Sequence, residues 1–168
     1  TTWPDMGGRR LLARGYGAPY LPLWEETAAL AVSARLEEAT GRTTLVPAGS
    51  RDCVVSERGL PFDDFTFDRI LMIHALETSQ SVKQLLRGAW RVLRDEGRLL
   101  LVVPNRRGVW AFSEGTPFGH GTPFSQRQIR LTLNEAMFHV ERSVTALYPP
   151  PFPAVQKRRL GEAVERAG

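Results

Sequence analysis

One hundred and sixty-eight residues, 42 % hydrophobic and 24 % charged, suit one globular domain with room for a sizeable core. No apolar run approaches the ~20 residues that a membrane helix needs, which argues against membrane insertion, and a single cysteine, Cys53, excludes an internal disulfide. The net charge of +4 is concentrated in Arg9-Arg10, Arg106-Arg107 and Lys157-Arg158-Arg159. Such clusters can meet the phosphates of RNA, but no aromatic residues interleave them, and solvated surface is an equal account. One thiol and no signal-peptide pattern fit a reducing, intracellular compartment, either bacterial cytoplasm or organelle matrix.

After a lead-in containing Pro4 and Gly7-Gly8, Arg10-Leu11-Leu12-Ala13 reads as a first strand. Gly15-Tyr16-Gly17-Ala18-Pro19 then makes a turn whose glycines let backbone approach a ligand closely. The stretch from Leu23 to Ala39 has the composition of one long helix. Topology asks instead for a short helix near Pro22 to Thr27 and a second strand through Ala29-Leu30-Ala31-Val32, the reading we adopt. Thr40 to Arg51 is a loop rich in Thr, Gly and Pro, and Asp52-Cys53-Val54-Val55 is a third strand in which Cys53 serves as a small hydrophobe.

Leu60 to Asn105 is the most informative stretch. Ile70-Leu71-Met72-Ile73 and Leu99-Leu100-Leu101-Val102-Val103 are short apolar runs bounded by turn residues, as in strands buried on both faces. Between them Val82, Leu85, Leu86, Ala89, Trp90 and Leu93 fall on one helical face. Ser81 with Gln84 forms a capping box at the start of that helix, and Gly97 stops it. Strand, helix and strand make a βαβ unit with parallel strands. Asp63, Asp64 and Asp68 invite an acid–base or metal reading, but turn capping is the better account, and no metal site is expected.

His74 follows the fourth strand, with Glu77 beyond it; both lie where parallel sheets place their ligands, so His74 is a candidate to orient a substrate or take its proton. Past the fifth strand, Asn105 and two Thr-Pro-Phe copies flanking Gly119-His120-Gly121 form a candidate substrate loop. Ser125 with Gln128 is a second capping box, opening a helix with Ile129, Leu133, Ala136 and Met137 on one face. Alternation of Phe138, Val140, Val144 and Ala146 with polar residues predicts a strand. The α/β domain is thus expected over residues 1–148, with a Pro-rich linker and basic tail over 149–168.

Leu60-Pro61-Phe62-x-Asp64-x-x-Phe67-Asp68, the apolar strand after it, and a helix ending in Arg91-Val92-Leu93 before a turn and a second apolar strand resemble the class I S-adenosylmethionine-dependent methyltransferases. The resemblance implies a Rossmann-like α/β fold: a mostly parallel, twisted sheet with flanking helices, here shortened at both ends. It also implies S-adenosylmethionine as cofactor. Gly15 and Gly17 match the first two glycines of the family's cofactor loop, with Pro19 at the third. Ala13 stands in place of the usual acid and Arg14 in place of an apolar residue. The acid that ends the family's second strand would fall near Ser33, and the one that meets adenine at Ser56, beside Glu57. Gly15, Tyr16, Gly17, Ser56, Glu57, Leu60 and His74 are therefore the implied cofactor-binding residues.

Two functions follow. The first is methyl transfer from S-adenosylmethionine, with His74 as the catalytic candidate and the loop over residues 115–125 facing the substrate beside it. The second is a catalytically degenerate fold serving as a structural subunit of a larger assembly, for which an organellar or RNA-containing one is a candidate. That alternative draws on Ala13, Arg14, Ser33 and Ser56, and on an incomplete sheet whose exposed edges another protein chain would cover.

Overall fold

The computed structural model describes residues 3, 6–36, 51–56, 59–104 and 124–145. Among them five strands follow in chain order: β1 (Arg10–Gly15), β2 (Leu30–Leu36), β3 (Asp52–Val55), β4 (Phe67–Ile73) and β5 (Leu93–Val102). A 3-10 helix (Ala18–Leu23) lies between β1 and β2, α1 (Val82–Val92) between β4 and β5, and α2 (Gln126–Glu135) after β5. The strands form one sheet in the order β3-β2-β1-β4-β5, with every pairing parallel. This is the Rossmann-like sheet that the resemblance implied.

The apolar runs place the core on both faces of the sheet. Leu12, Ala34, Ile70 and Met72 face the layer that holds α1, where Leu85, Leu86, Ala89 and Val92 meet them. Leu11, Ala13, Ala31, Leu71 and Ile73 face the other layer, closed by Met6, Leu21 and the paired rings of Trp3 and Trp24. β4 is therefore buried on both sides, as expected. β5 differs: among the described residues it is the last strand of the sheet, and its apolar run is only half-buried.

Helix α1 begins as the spacing predicts, with the Ser81 hydroxyl accepting from the backbone N–H of Gln84, although only this half of the capping box forms. It ends at Val92, well before Gly97. Leu93 turns extended because it pairs with Phe67, and the ladder resumes only at Arg69 and Arg98. The Asp95-Glu96-Gly97 turn is thus an irregularity within β5, with Glu96 in the left-handed region at φ 61°. Trp90, assigned to the apolar face by its spacing, remains 45 % exposed.

The segment before β4 is held by one side chain. The Arg91 guanidinium donates to the carbonyls of Leu60 (2.8 Å) and Phe62 (2.9 Å) and to Asp64 Oδ1 (2.6 Å), while the Arg91 carbonyl accepts from Phe65 N–H. Arg94 binds the Phe65 carbonyl and Asp68, whose other oxygen accepts from the backbone N–H of Arg10 at the start of β1. Asp64 and Asp68 are structural.

α2 opens with the full reciprocal capping box of Ser125 and Gln128. Ser125→Ala should cost about 1 kcal/mol, read as a lower urea midpoint at unchanged m-value. The strand expected from Phe138 onward is absent from the described residues 138–145. Side chains hold this segment instead: Glu141 pairs with Arg98 at 3.4 Å and Ser143 with Gln126 at 3.2 Å. Alternating hydrophobicity makes a strand only where a neighbouring strand supplies the ladder, and Val144 stays exposed. The short helix comes earlier than Pro22 to Thr27, and β2 begins one residue later and runs longer than expected. The linker and tail over 149–168 lie outside the described residues.

Candidate functional site

The sheet order turns between β1 and β4: β1 leads outward to β2 and β3, and β4 leads to β5. The loops leaving the carboxyl ends of two such strands diverge and open a crevice, the usual ligand position in this architecture. The residues at this point are Gly15, Tyr16, Gly17 and His74.

Gly15 is fixed there by contact. It has φ +69°, and a Cβ on it would stand 2.3 Å from the Ile73 carbonyl oxygen, which also accepts from Tyr16 N–H at 2.8 Å. A side chain cannot occupy that space, so the loop lies directly on the end of β4. Gly17 folds back on β1, where a Cβ would come within 2.9 Å of the Ala13 Cβ. Ala13, in place of an acid, therefore packs directly under the turn. Tyr16 is 68 % exposed, and its ring meets that of His74 edge-on, with centroids 6.3 Å apart.

His74 has the left-handed φ of 53°. Its backbone is fixed on both sides, its N–H donating to the Val102 carbonyl at 3.0 Å and its carbonyl accepting from Thr78 Oγ1 at 3.2 Å. The ring Nδ1 lies 2.5 Å from Glu77 Oε1. The Glu77 side chain is only 4 % exposed, and its buried Oε2 has no hydrogen-bond partner among the described residues. A carboxylate-backed imidazole is an arrangement suited to accepting a proton. Sequence reasoning placed both residues at the pocket without pairing them; their three-residue spacing across a turn was the available signal.

The remaining candidates separate. Ser56 is exposed just after β3, two strands away from β1. Leu60 is a core residue whose carbonyl is taken by Arg91. Glu57, Asn105, Gly119, His120 and Gly121 lie outside the described residues. Ser33 sits inside β2 beside Ala13, so the strand's end falls at Leu36 rather than at Ser33. Arg14 is 1 % exposed on the face that α1 covers. Burial and the Asp52 carboxylate push the Cys53 thiol above its ordinary range, with Arg14 pulling the other way, so Cys53 is no ready nucleophile. Among the described residues no group of three or more His, Cys, Asp and Glu could hold a metal. A shallow cavity of about 420 Å³ is lined by Ala18, which follows Gly17, by Leu21, Pro22 and Glu25, and by Ala31, Arg51 and Asp52 at the amino ends of β2 and β3.

Comparison with known proteins bears on the family and the fold. Residues 14–101 match the family model described as "Methyltransferase domain", and the chain belongs to the class I S-adenosylmethionine-dependent methyltransferase family. No curated protein matches the sequence. Among solved structures, the chain is similar to one in the complex of the Haloferax volcanii Trm112 methyltransferase activator with a methyltransferase (20 % identity, TM-score 0.60, 79 % of this chain and 62 % of that one). It is also similar to an S-adenosylmethionine-dependent methyltransferase from Mesorhizobium loti (18 %, 0.59, 83 % and 78 %). A third likeness is to the [4+2]-cyclase SpnF (22 %, 0.56, 79 % and 51 %). At these identities the likeness concerns the fold, and the chain spans 62 % of the first of these relatives.

Proposed function

We propose that this protein binds S-adenosylmethionine over the Gly15–Gly17 turn and acts as a methyltransferase on an acceptor held beside His74. The observation that carries the proposal is Gly15: left-handed backbone, seated on the Ile73 carbonyl at the switch point, with no room for a Cβ. A turn pressed this closely to the strand end leaves backbone, rather than side chains, to face a ligand, and so the residues fit the cofactor. When bound, that cofactor supplies an electrophilic methyl group on a sulfonium.

The chain's own work is then mostly positional. Gly15 and Gly17 admit the ligand closely, and the exposed Tyr16 ring borders it. Ser56 offers a hydroxyl at the position where the family meets adenine, a neutral and therefore weaker partner than a carboxylate. His74 takes the acceptor's proton on its ring nitrogen.

Incubated with methyl-tritiated S-adenosylmethionine and a small-molecule extract of the producing cells, the protein should label an acceptor. His74→Ala should slow that labelling by about 100-fold, the usual scale of a lost general base. A second reading, a fold kept for another role, draws on Ala13 in place of the acid and on a cyclase sharing the fold. A sample that binds S-adenosylhomocysteine yet labels nothing would favour that reading.

A further inference from the structure

We propose that Glu77 is a positioning residue that holds the Nδ1–H of His74, so that Nε2 is the ring nitrogen that receives the acceptor's proton; the inference rests on the functional reading above. Three features point to it. The first is reach: Glu77 Oε1 stands 2.5 Å from Nδ1, across the turn that begins at His74. The second is the fixed backbone of His74. With its N–H on Val102 and its carbonyl on Thr78, and φ held at 53°, only the side-chain torsions remain to be set. Strained backbone of this kind gathers where geometry serves function.

The third feature is the environment of the carboxylate. Glu77 follows the fully buried Ala75 and Leu76, its side chain is 4 % exposed, and Oε2 has no hydrogen-bond partner among the described residues. A buried carboxylate with one oxygen unsatisfied is poorer for stability than an apolar side chain of similar size. Packing alone would favour leucine here. A carboxylate gains its place through its hydrogen bond to Nδ1, which selects the tautomer and fixes the plane of the His74 ring. With Nδ1 as donor, Nε2 is the acceptor nitrogen. Tyr16 lies edge-on to the same ring, so ring orientation also sets what the exposed tyrosine borders.

The tautomer can be read without cofactor or substrate, from long-range 1H–15N correlation spectra of the full chain labelled at histidine. The chain has 3 histidines, and His74→Ala assigns the signal of interest. Wild type should show Nδ1 protonated and Nε2 bare. Glu77→Gln, whose amide oxygen still accepts, should keep that pattern. Glu77→Leu should stay folded and lose it, the proton moving to Nε2. A wild-type ring protonated at Nε2, or a Glu77→Leu spectrum like that of wild type, would overturn the proposal. Because the wild-type spectrum alone decides the first point, a variant that failed to fold would not protect it. S-adenosylhomocysteine affinity measured on the same samples reports separately on the functional reading.

Discussion

Gly15→Ala should be the most damaging single-atom change in the sheet, costing about 3 kcal/mol or more and abolishing cofactor binding. Two independent costs add. Holding alanine at φ +69° is a strain of about 1–2 kcal/mol. The new methyl would also stand 2.3 Å from the Ile73 carbonyl oxygen, so either β4 or the turn must move. Backbone on both sides leaves no flexible side chain to give way. Moving the turn breaks the bond from Tyr16 N–H to the same oxygen and displaces the ring beside His74. Gly17→Ala is the natural control: at φ −78° alanine is unstrained there, and its Cβ would stand 2.9 Å from the Ala13 Cβ rather than 2.3 Å from a backbone oxygen, so a smaller loss is expected. Urea unfolding of the two variants side by side checks the order.

Arg91→Ala should cost about 3 kcal/mol, because hydrogen bonds from a charged donor each contribute about 1.5–3 kcal/mol and partly exposed ones fall at the low end. The guanidinium spans the carbonyls of Leu60 and Phe62 and the Asp64 carboxylate, tying the end of α1 to the segment before β4. Without it two carbonyls lose their donor, and Phe62, edge-on against Phe67 at 4.9 Å, is freed to shift. Arg91→Lys should recover less than half, since one ammonium cannot reproduce a planar fork with several donors. Equal stability of Arg91→Lys and wild type in calorimetric melts would contradict this account.

That network also explains what could be read from the sequence. Leu60-Pro61-Phe62-x-Asp64 and Arg91-Val92-Leu93 were recognised as separate fragments in the right order; in space they are one contact. β3 fell where its four apolar-rich residues predict, and both caps began at their serines. The failures share a cause. The end of α1, the extent of β2 and the lack of a strand over the described residues 138–145 all turn on whether a distant segment pairs there, which local patterns do not register. The site was legible as positions: two glycines after β1 and a histidine after β4. Its chemistry was not, because the three-residue spacing of His74 and Glu77 becomes a contact only through the left-handed backbone of His74, which no glycine or asparagine marks.

The most direct test of the central claim is a calorimetric titration of S-adenosylhomocysteine into the purified chain. Binding with a micromolar Kd, lost in Gly15→Ala and retained in Ser125→Ala, is the predicted result. A folded wild-type sample that takes up no S-adenosylhomocysteine would contradict the assignment of the Gly15–Gly17 turn as a cofactor site.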